Sequence, residues 1–224
     1  MKLSALLIAA ILTYGNLLVA DPADKVRIAT KDAVVVVIAF PEKDISIPTI
    51  PNIWNGIARL FDFDGDNHLR LGHAGLFIID PNSGSVKYVD FGRYDERKDL
   101  YDERPDNYGV VRTPETVPEL LINVKARFQD GVLMNLDSLL VFLAAKPLFK
   151  SYGRVEAAEY YHLNLDKMMS FIEELSQKGY VRYGCPNLQY CSKFARQVIR
   201  EGGGRYSFST LTGMQMVKWN RKNL

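Results

Sequence analysis

A hairpin near the middle of the chain is the sequence feature that most constrains its fold. Two β-rich runs of similar length, LGHAGLFIID and SVKYVDFGRY, stand on either side of the turn-forming cluster PNSG. Because these four residues favour tight reversals, we predict that the two runs pair as antiparallel strands with Gly84 in the turn. Such pairing brings Asp90, on the second strand, close to His73 at the start of the first.

The other patterned segments predict an α+β domain in which an antiparallel sheet packs against helices. The run DAVVVVIAF predicts a central strand that is buried on both faces, and LLINVKARF predicts another strand. RVEAAEYYHLN suits a strand or a helix, and its aromatic pair favours a strand. Helices are predicted from near Pro51 in PTIPNIWNGIARLF, for NLDSLLVFLAAKP with a cap at Asn135 or Asp137, for LDKMMSFIEELSQKG and for CSKFARQVIRE.

The charged, proline-punctuated residues 95–118 predict a long surface loop or flap, with one short strand at Gly109 to Arg112. Whether this segment forms a lid is left open by the sequence.

Length and charge restrict the classes of partner. The 224 residues suffice for one substantial core, so we predict a single domain over residues 21–224. The net charge of +2 comes from 28 basic and 26 acidic residues that are interspersed, which argues against a nucleic-acid partner.

Residues 1–20 have the outline of a secretory signal peptide, with one lysine, an apolar stretch and the ending LVA. We therefore predict export to the periplasm or the medium. A buried helix and an uncleaved membrane anchor are the alternatives for this segment. Beyond it, no apolar run approaches the roughly 20 residues that a membrane-spanning helix needs.

Cysteine chemistry is the first candidate for function. The chain has two cysteines, Cys185 and Cys191, which could also form a disulfide in an oxidising compartment. Cys191 begins a predicted helix, where unpaired backbone N–H groups lower the pKa of a thiol and can bind a developing oxyanion. Cys185, between Gly184 and Pro186, lacks this advantage, so Cys191 is the preferred nucleophile.

A cysteine nucleophile also needs a base, and His73 is the preferred one of the three histidines. The small residues after it leave room for another element or for a substrate. Asp90 lies among apolar neighbours and therefore requires a partner. His73 is one candidate, which would give the Cys–His–Asp relay of nucleophilic hydrolases; Arg93 or a backbone N–H is the alternative.

The segments GHAGLFIID, VKYVDFG and YCSKFARQVI, in this order, resemble the permuted branch of the NlpC/P60 superfamily, which includes the lecithin-retinol acyltransferase group. The resemblance covers about residues 34–205 and implies a circularly permuted papain-like fold. It also implies the roles of nucleophile for Cys191, base for His73 and orienting residue for Asp90. Two positions depart from the pattern: Tyr190 stands where relatives often have asparagine, and Asp90 where they frequently have histidine.

Three further residues are candidates for substrate binding. Arg93 and Tyr94 follow the hairpin and could bind a carboxylate or phosphate, with packing at the surface as the alternative. Tyr190 immediately precedes the nucleophile. No metal site or cofactor is predicted, because the calcium-like run DFDGDNH has Gly65 at the fourth place and lacks a closing glutamate.

Together these features predict a bacterial cysteine hydrolase or acyltransferase that forms an acyl-enzyme on an amide, ester or thioester. Peptidoglycan peptides and lipid acyl groups are the substrate classes that the resemblance implies. The alternative is a non-catalytic envelope or binding protein in which a Cys185–Cys191 disulfide removes the nucleophile.

Overall fold

A computed structural model describes residues 32–43, 45–46, 68–69, 72–94, 108–182, 190–206 and 213–223. The predicted signal peptide and the helix predicted to start near Pro51 lie outside these ranges, as does Cys185.

A six-stranded antiparallel sheet forms the centre of the described fold. In chain order its strands are β1 (Asp32–Phe40), β4 (His73–Asp80), β5 (Ser85–Gly92), β6 (Tyr108–Arg112), β9 (Glu156–Asn164) and β10 (Val181–Arg182). They lie side by side in the order β10, β6, β5, β4, β1, β9. Four two-residue strands form separate pairs: β2 (Ile45–Ser46) with β3 (His68–Leu69), and β7 (Phe128–Gln129) with β8 (Val132–Leu133).

Four α-helices accompany the sheet in the described residues: α1 (Leu136–Ala144), α2 (Leu165–Gln177), α3 (Cys191–Glu201) and α4 (Gly213–Asn223). Two short 3-10 helices cover Pro118–Leu120 and Pro147–Phe149. The predicted α+β class is therefore confirmed, as are the helices at α1, α2 and α3 and the strand at β9. No helix among the described residues is long and apolar enough to span a membrane.

The hairpin of β4 and β5 forms as predicted. Gly84 lies in the turn with a φ of 69°, a left-handed conformation that glycine adopts without strain. The side chain of Asp80 accepts hydrogen bonds from the backbone N–H of Asn82 and from the Ser83 hydroxyl, which fixes the reversal. The resulting register places Gly75 opposite Asp90.

The sheet separates two apolar layers, because alternate residues of each strand face opposite sides. On one side, α2, α3 and α4 pack against odd-numbered residues of β1. On the other side, α1 and the segment around residues 117–152 pack against the even-numbered ones. Residues 33–40 of β1 are accordingly buried on both faces, as the unbroken apolar run predicts.

Two predictions for the segment between β5 and α1 need correction. Residues 120–128 do not form a strand: only Leu121 bridges to Lys87, and Phe128 begins the short β7. The side chain of Asn135 holds this segment instead, since it accepts from the Arg127 N–H and donates to the Lys125 carbonyl. Asn135 is the N-cap residue of α1, but its side chain makes no capping hydrogen bond.

The second correction concerns residues 108–117, which belong to the predicted surface loop. Here β6 is an inner strand between β5 and β10, and its residues from Gly109 to Arg112 are buried. The short strand is thus confirmed, but its position in the sheet is interior. Residues 95–107 lie outside the described ranges.

Helix α4 covers the outer edge of the sheet. Strand β9 is an edge strand, and the side chains of Asn220 and Arg221 donate hydrogen bonds to the carbonyl oxygens of Glu159 and Ala157. Arg221 also forms an ion pair with Glu156 at 3.0 Å.

Phe194 provides a test of this packing, because it joins α3 to the sheet. Its ring is fully buried, 6.0 Å from that of Phe91 and 6.5 Å from that of Phe171 between centroids. We expect Phe194→Ala to lower the free energy of unfolding by about 3–5 kcal/mol, measured by urea denaturation. Val141→Ala, at a position that is 69% exposed, is the control and should change it by less than about 0.5 kcal/mol. Equal effects of the two substitutions would contradict this packing.

Candidate active site

The structure brings His73, Asp90 and Cys191 together at one end of the sheet. His73 is the first residue of β4, Asp90 lies near the end of β5, and Cys191 is the first residue of α3. Because α3 packs on β4 and β5, its N-terminus reaches the point where β4 begins. The three residues come from distant parts of the sequence, but all are buried, with His73 and Cys191 each 7% exposed.

The sheet register explains why Asp90 meets His73. Gly75, Asp90 and Arg112 lie side by side across β4, β5 and β6. His73 is two residues before Gly75 and therefore projects from the same face as Asp90. Its Nε2 atom lies 3.0 Å from Oδ2 of Asp90.

The Asp90 carboxylate has no exposed surface and is surrounded by donors. Arg112 binds both of its oxygens, from Nε to Oδ1 at 2.9 Å and from Nη2 to Oδ2 at 2.6 Å. The hydroxyls of Tyr88 and Tyr94 donate to Oδ2 at 3.0 and 3.1 Å. These donors satisfy the buried carboxylate of Asp90. They include both a histidine and an arginine, the two kinds of side-chain partner that the sequence predicted.

Arg112 is the part of this network that sequence reasoning missed. The predicted alternative partner of Asp90 was Arg93, whereas the arginine that binds it is on β6. Besides Asp90, the Arg112 guanidinium contacts Tyr94, with Nη2 donating to the hydroxyl at 2.8 Å and Cζ lying 3.4 Å from the ring centroid. The run VVR is buried without interruption in the structure. The sequence would indicate a buried arginine here only if β6 were already known to be an inner strand.

Two glycines make room for the tyrosines. A Cβ atom at Gly75 would overlap the Tyr88 hydroxyl, and one at Gly92 would lie 2.6 Å from Cζ of Tyr94. Tyr88 therefore crosses over Gly75 to reach Asp90, and Tyr94 folds back over Gly92. The glycines of the GHAG and DFG runs are thus required by close contacts beside the buried carboxylate.

The electrostatics of the carboxylate and the two hydroxyls follow from their burial. Burial raises the pKa of Asp90, but the charge and hydrogen bonds of Arg112, together with His73, hold this pKa well below its usual range. Burial raises the pKa values of Tyr88 and Tyr94 well above 10. At neutral pH the carboxylate is therefore ionised, and both phenols remain protonated donors.

His73 lies between this carboxylate and the thiol. Cys191 is its other neighbour, and since Nε2 faces Asp90, Nδ1 is the ring nitrogen available to the sulfur. Burial lowers the pKa of His73, but the hydrogen bonds and negative charges of Asp90 and Cys191 outweigh it and raise the pKa to about 9. Phe40 and Tyr152 enclose the ring at centroid distances of 6.2 and 5.9 Å.

Cys191 has a free thiol. Burial raises the pKa of this thiol, but His73 and the backbone N–H groups of Ala74 and Ser192 lower it, and the net change is downward. The positive end of the helix dipole at the start of α3 acts in the same direction. The arrangement favours a thiolate next to an imidazolium, which is the reactive form of a cysteine nucleophile.

The three residues predicted to bind substrate occupy different environments. Arg93 and Tyr94 are 3% and 4% exposed, so neither packs at the surface as the alternative prediction had it. The Tyr94 hydroxyl also lies 3.2 Å from Nε2 of His73, so Tyr94 is part of the hydrogen-bond network around Asp90. Tyr190 is half-buried at the N-cap of α3, and its hydroxyl accepts from Nη2 of Arg196 at 2.9 Å.

No group of three metal-binding side chains occurs within the part of the chain that the structure describes. Residues 62–67 of the calcium-like run lie outside it.

Comparison with known proteins places this chain in a family. The model of the family described as type VI secretion system effector TseH-like matches residues 35–207. The chain belongs to the TseH-like family. All three residues of the candidate site lie within the matched range.

A solved structure supports the same assignment at the level of the fold. The crystal structure of the type VI secretion system effector TseH aligns with this TseH-like chain at a TM-score of 0.56 and 15% sequence identity. The alignment covers 87% of this chain and 90% of that chain. No curated protein matches the sequence significantly.

The lowered pKa of Cys191 is testable by alkylation. We expect iodoacetamide to modify Cys191 with a midpoint below about pH 8.5, the value of an ordinary thiol. His73→Gln should move this midpoint to higher pH, because the thiolate loses its cationic neighbour. Peptide mass spectrometry separates Cys191 from Cys185 and follows each thiol in the same sample. The same midpoint in wild type and His73→Gln would show that His73 does not activate the thiol.

Proposed function

We propose that this TseH-like protein is a cysteine hydrolase of the circularly permuted NlpC/P60 type that cleaves an amide bond in peptidoglycan peptides. The observation that supports the proposal is the proximity of Cys191, at the N-terminus of a helix, to the hydrogen-bonded pair of His73 and Asp90. Their chain order, with histidine and aspartate before cysteine, matches the permuted pattern.

The geometry supports nucleophilic catalysis in two stages. In the first, the Cys191 thiolate attacks the amide carbonyl carbon, and the His73 imidazolium gives its proton to the departing amine. In the second, neutral His73 takes a proton from water, the resulting hydroxide attacks the thioester, and the Cys191 thiolate leaves. The products are a carboxylic acid and an amine, and the enzyme returns to its starting state.

Backbone donors at the start of α3 suit the oxyanion that forms in each stage. The N–H groups of the first helical turn have no partner within the helix and carry partial positive charge. Their position beside Cys191 supports a role in binding the carbonyl oxygen as it becomes negative. Asp90 would keep the His73 ring oriented, with Nε2 bonded and Nδ1 towards the sulfur.

The family name supports the substrate class and the route of delivery. An effector of a type VI secretion system acts outside the cell that makes it, and the bacterial cell wall is an extracytoplasmic polymer with amide bonds. Delivery by that system would account for export. The signal peptide predicted for residues 1–20 remains a separate prediction about the route.

Substitution of Cys191 and of His73 tests the proposal on purified peptidoglycan. We expect Cys191→Ser to reduce the release of new amino groups by about 10³-fold or more and His73→Gln by about 10²–10⁴-fold. Cys185→Ser is the matched control and should retain activity. Full activity of Cys191→Ser, or its loss in Cys185→Ser, would assign the nucleophile elsewhere.

The pH dependence of kcat/KM follows from the same pair. Thiolate forms below the ordinary pKa of cysteine, so the acid limb should lie below about pH 8.5. The imidazolium of His73 is lost as the pH rises through about 9, which removes the proton donor and gives the basic limb. A profile that continues to rise above pH 10 would contradict proton donation by His73.

A further inference from the structure

The buried charges at the site form a group of four. Asp90 and Arg112 have no exposed surface, and His73 and Cys191 are nearly buried. Arg112 and the protonated form of His73 both bind Oδ2 of Asp90, at 2.6 and 3.0 Å. One carboxylate therefore faces two cations, one permanent and one that gives up its proton.

We propose that Arg112 is a positioning residue that holds the Asp90 carboxylate in place and balances its charge, so that His73 binds its proton less tightly than beside Asp90 alone. This inference rests on the proposed function, in which His73 must release a proton to the leaving amine.

The physical reason is the cost of an unbalanced charge in a buried site. Without Arg112, a proton on either His73 or Asp90 would be the nearest means of neutralising the carboxylate. Removing that proton would leave a buried anion with only neutral donors. The pair of His73 and Asp90 would then lose its last proton at a higher pH, whichever of the two residues carries it, because the two groups titrate together. A weaker acid transfers its proton to a leaving group less readily.

The other groups that face His73 do not replace this balance. Tyr88 and Tyr94 approach from β5 and the residues after it, and Tyr152 from the loop before β9. All three are phenols, which are neutral when protonated. The charged groups that the described residues add are Cys191 on α3, which is anionic as a thiolate, and Lys43, whose Nζ lies 4.7 Å from the centroid of the Tyr152 ring. Arg112 binds both oxygens of Asp90 and so places a permanent positive charge against the carboxylate.

The bidentate contact of the Arg112 guanidinium also fixes the orientation of the Asp90 carboxylate. Its two bonds go to different oxygens of Asp90, which holds the carboxyl plane in one orientation. Oδ2 is thereby kept facing His73. A lysine at this position would keep the positive charge but lose the paired geometry.

The test compares neutral and charged replacements. Arg112→Met and Arg112→Gln remove the charge, and Arg112→Lys keeps it. We expect both neutral variants to raise the titration midpoint of His73, measured by NMR, by about 1 pH unit or more. The basic limb of the pH profile of kcat/KM should move to higher pH by the same amount. Arg112→Lys should keep the midpoint near that of wild type while lowering kcat more than it changes KM.

Val111→Ala is the matched control for loss of packing. Val111 is the neighbouring residue of β6, is 3% exposed and faces the opposite layer of the core. Its replacement should lower stability without moving the His73 midpoint. Arg112→Gln retains a donor for Asp90, so it decides the test if Arg112→Met does not fold.

An unchanged or lower midpoint in a folded neutral variant would overturn the proposal, as would an equal shift in Arg112→Lys. The NMR titration needs no substrate. If the wild type fails to cleave peptidoglycan, the proposed function fails, whereas the effect of Arg112 on His73 is still measured.

Discussion

The buried charge of Asp90 is the constraint on which the site depends. A carboxylate without solvent must be satisfied by donors, and removal of one partner from a buried ion pair typically costs about 3–5 kcal/mol. Here the donors come from β4, β6 and the two tyrosines at positions 88 and 94. The register of three neighbouring strands, the two glycines under the tyrosines and the orientation of His73 together satisfy that one group. Stability and chemistry are therefore coupled at this end of the sheet.

Much of the fold could be predicted because its main signals are local. The turn at Gly84 and the unbroken apolar run of β1 are properties of short segments, and so is the helix that begins at Cys191. The hairpin register then brought Asp90 to His73 without further information. The structure confirms these elements, and it brings all three candidate residues to one end of the sheet.

The missed features depend on distant contacts. Arg112 belongs to a five-residue strand that follows a charged segment, and its burial is set by neighbours on both sides that the local sequence does not specify. Residues 120–128 have the composition of a strand, but Asn135 binds their backbone and removes them from the sheet. Arg93 and Tyr94 have polar groups, which suggested exposure, whereas the close approach over Gly92 draws Tyr94 inward. In each case tertiary contacts override the preference of the segment.

The hydrogen bonds between α4 and β9 affect when the folding chain is protected against self-association. An edge strand with free carbonyl and N–H groups can recruit a strand from another molecule. Asn220 and Arg221, near the C-terminus, occupy two of those carbonyls. A chain without α4 would therefore leave these two carbonyl groups of β9 open to strand addition from another molecule. Helix α4 must dock before this part of β9 is protected.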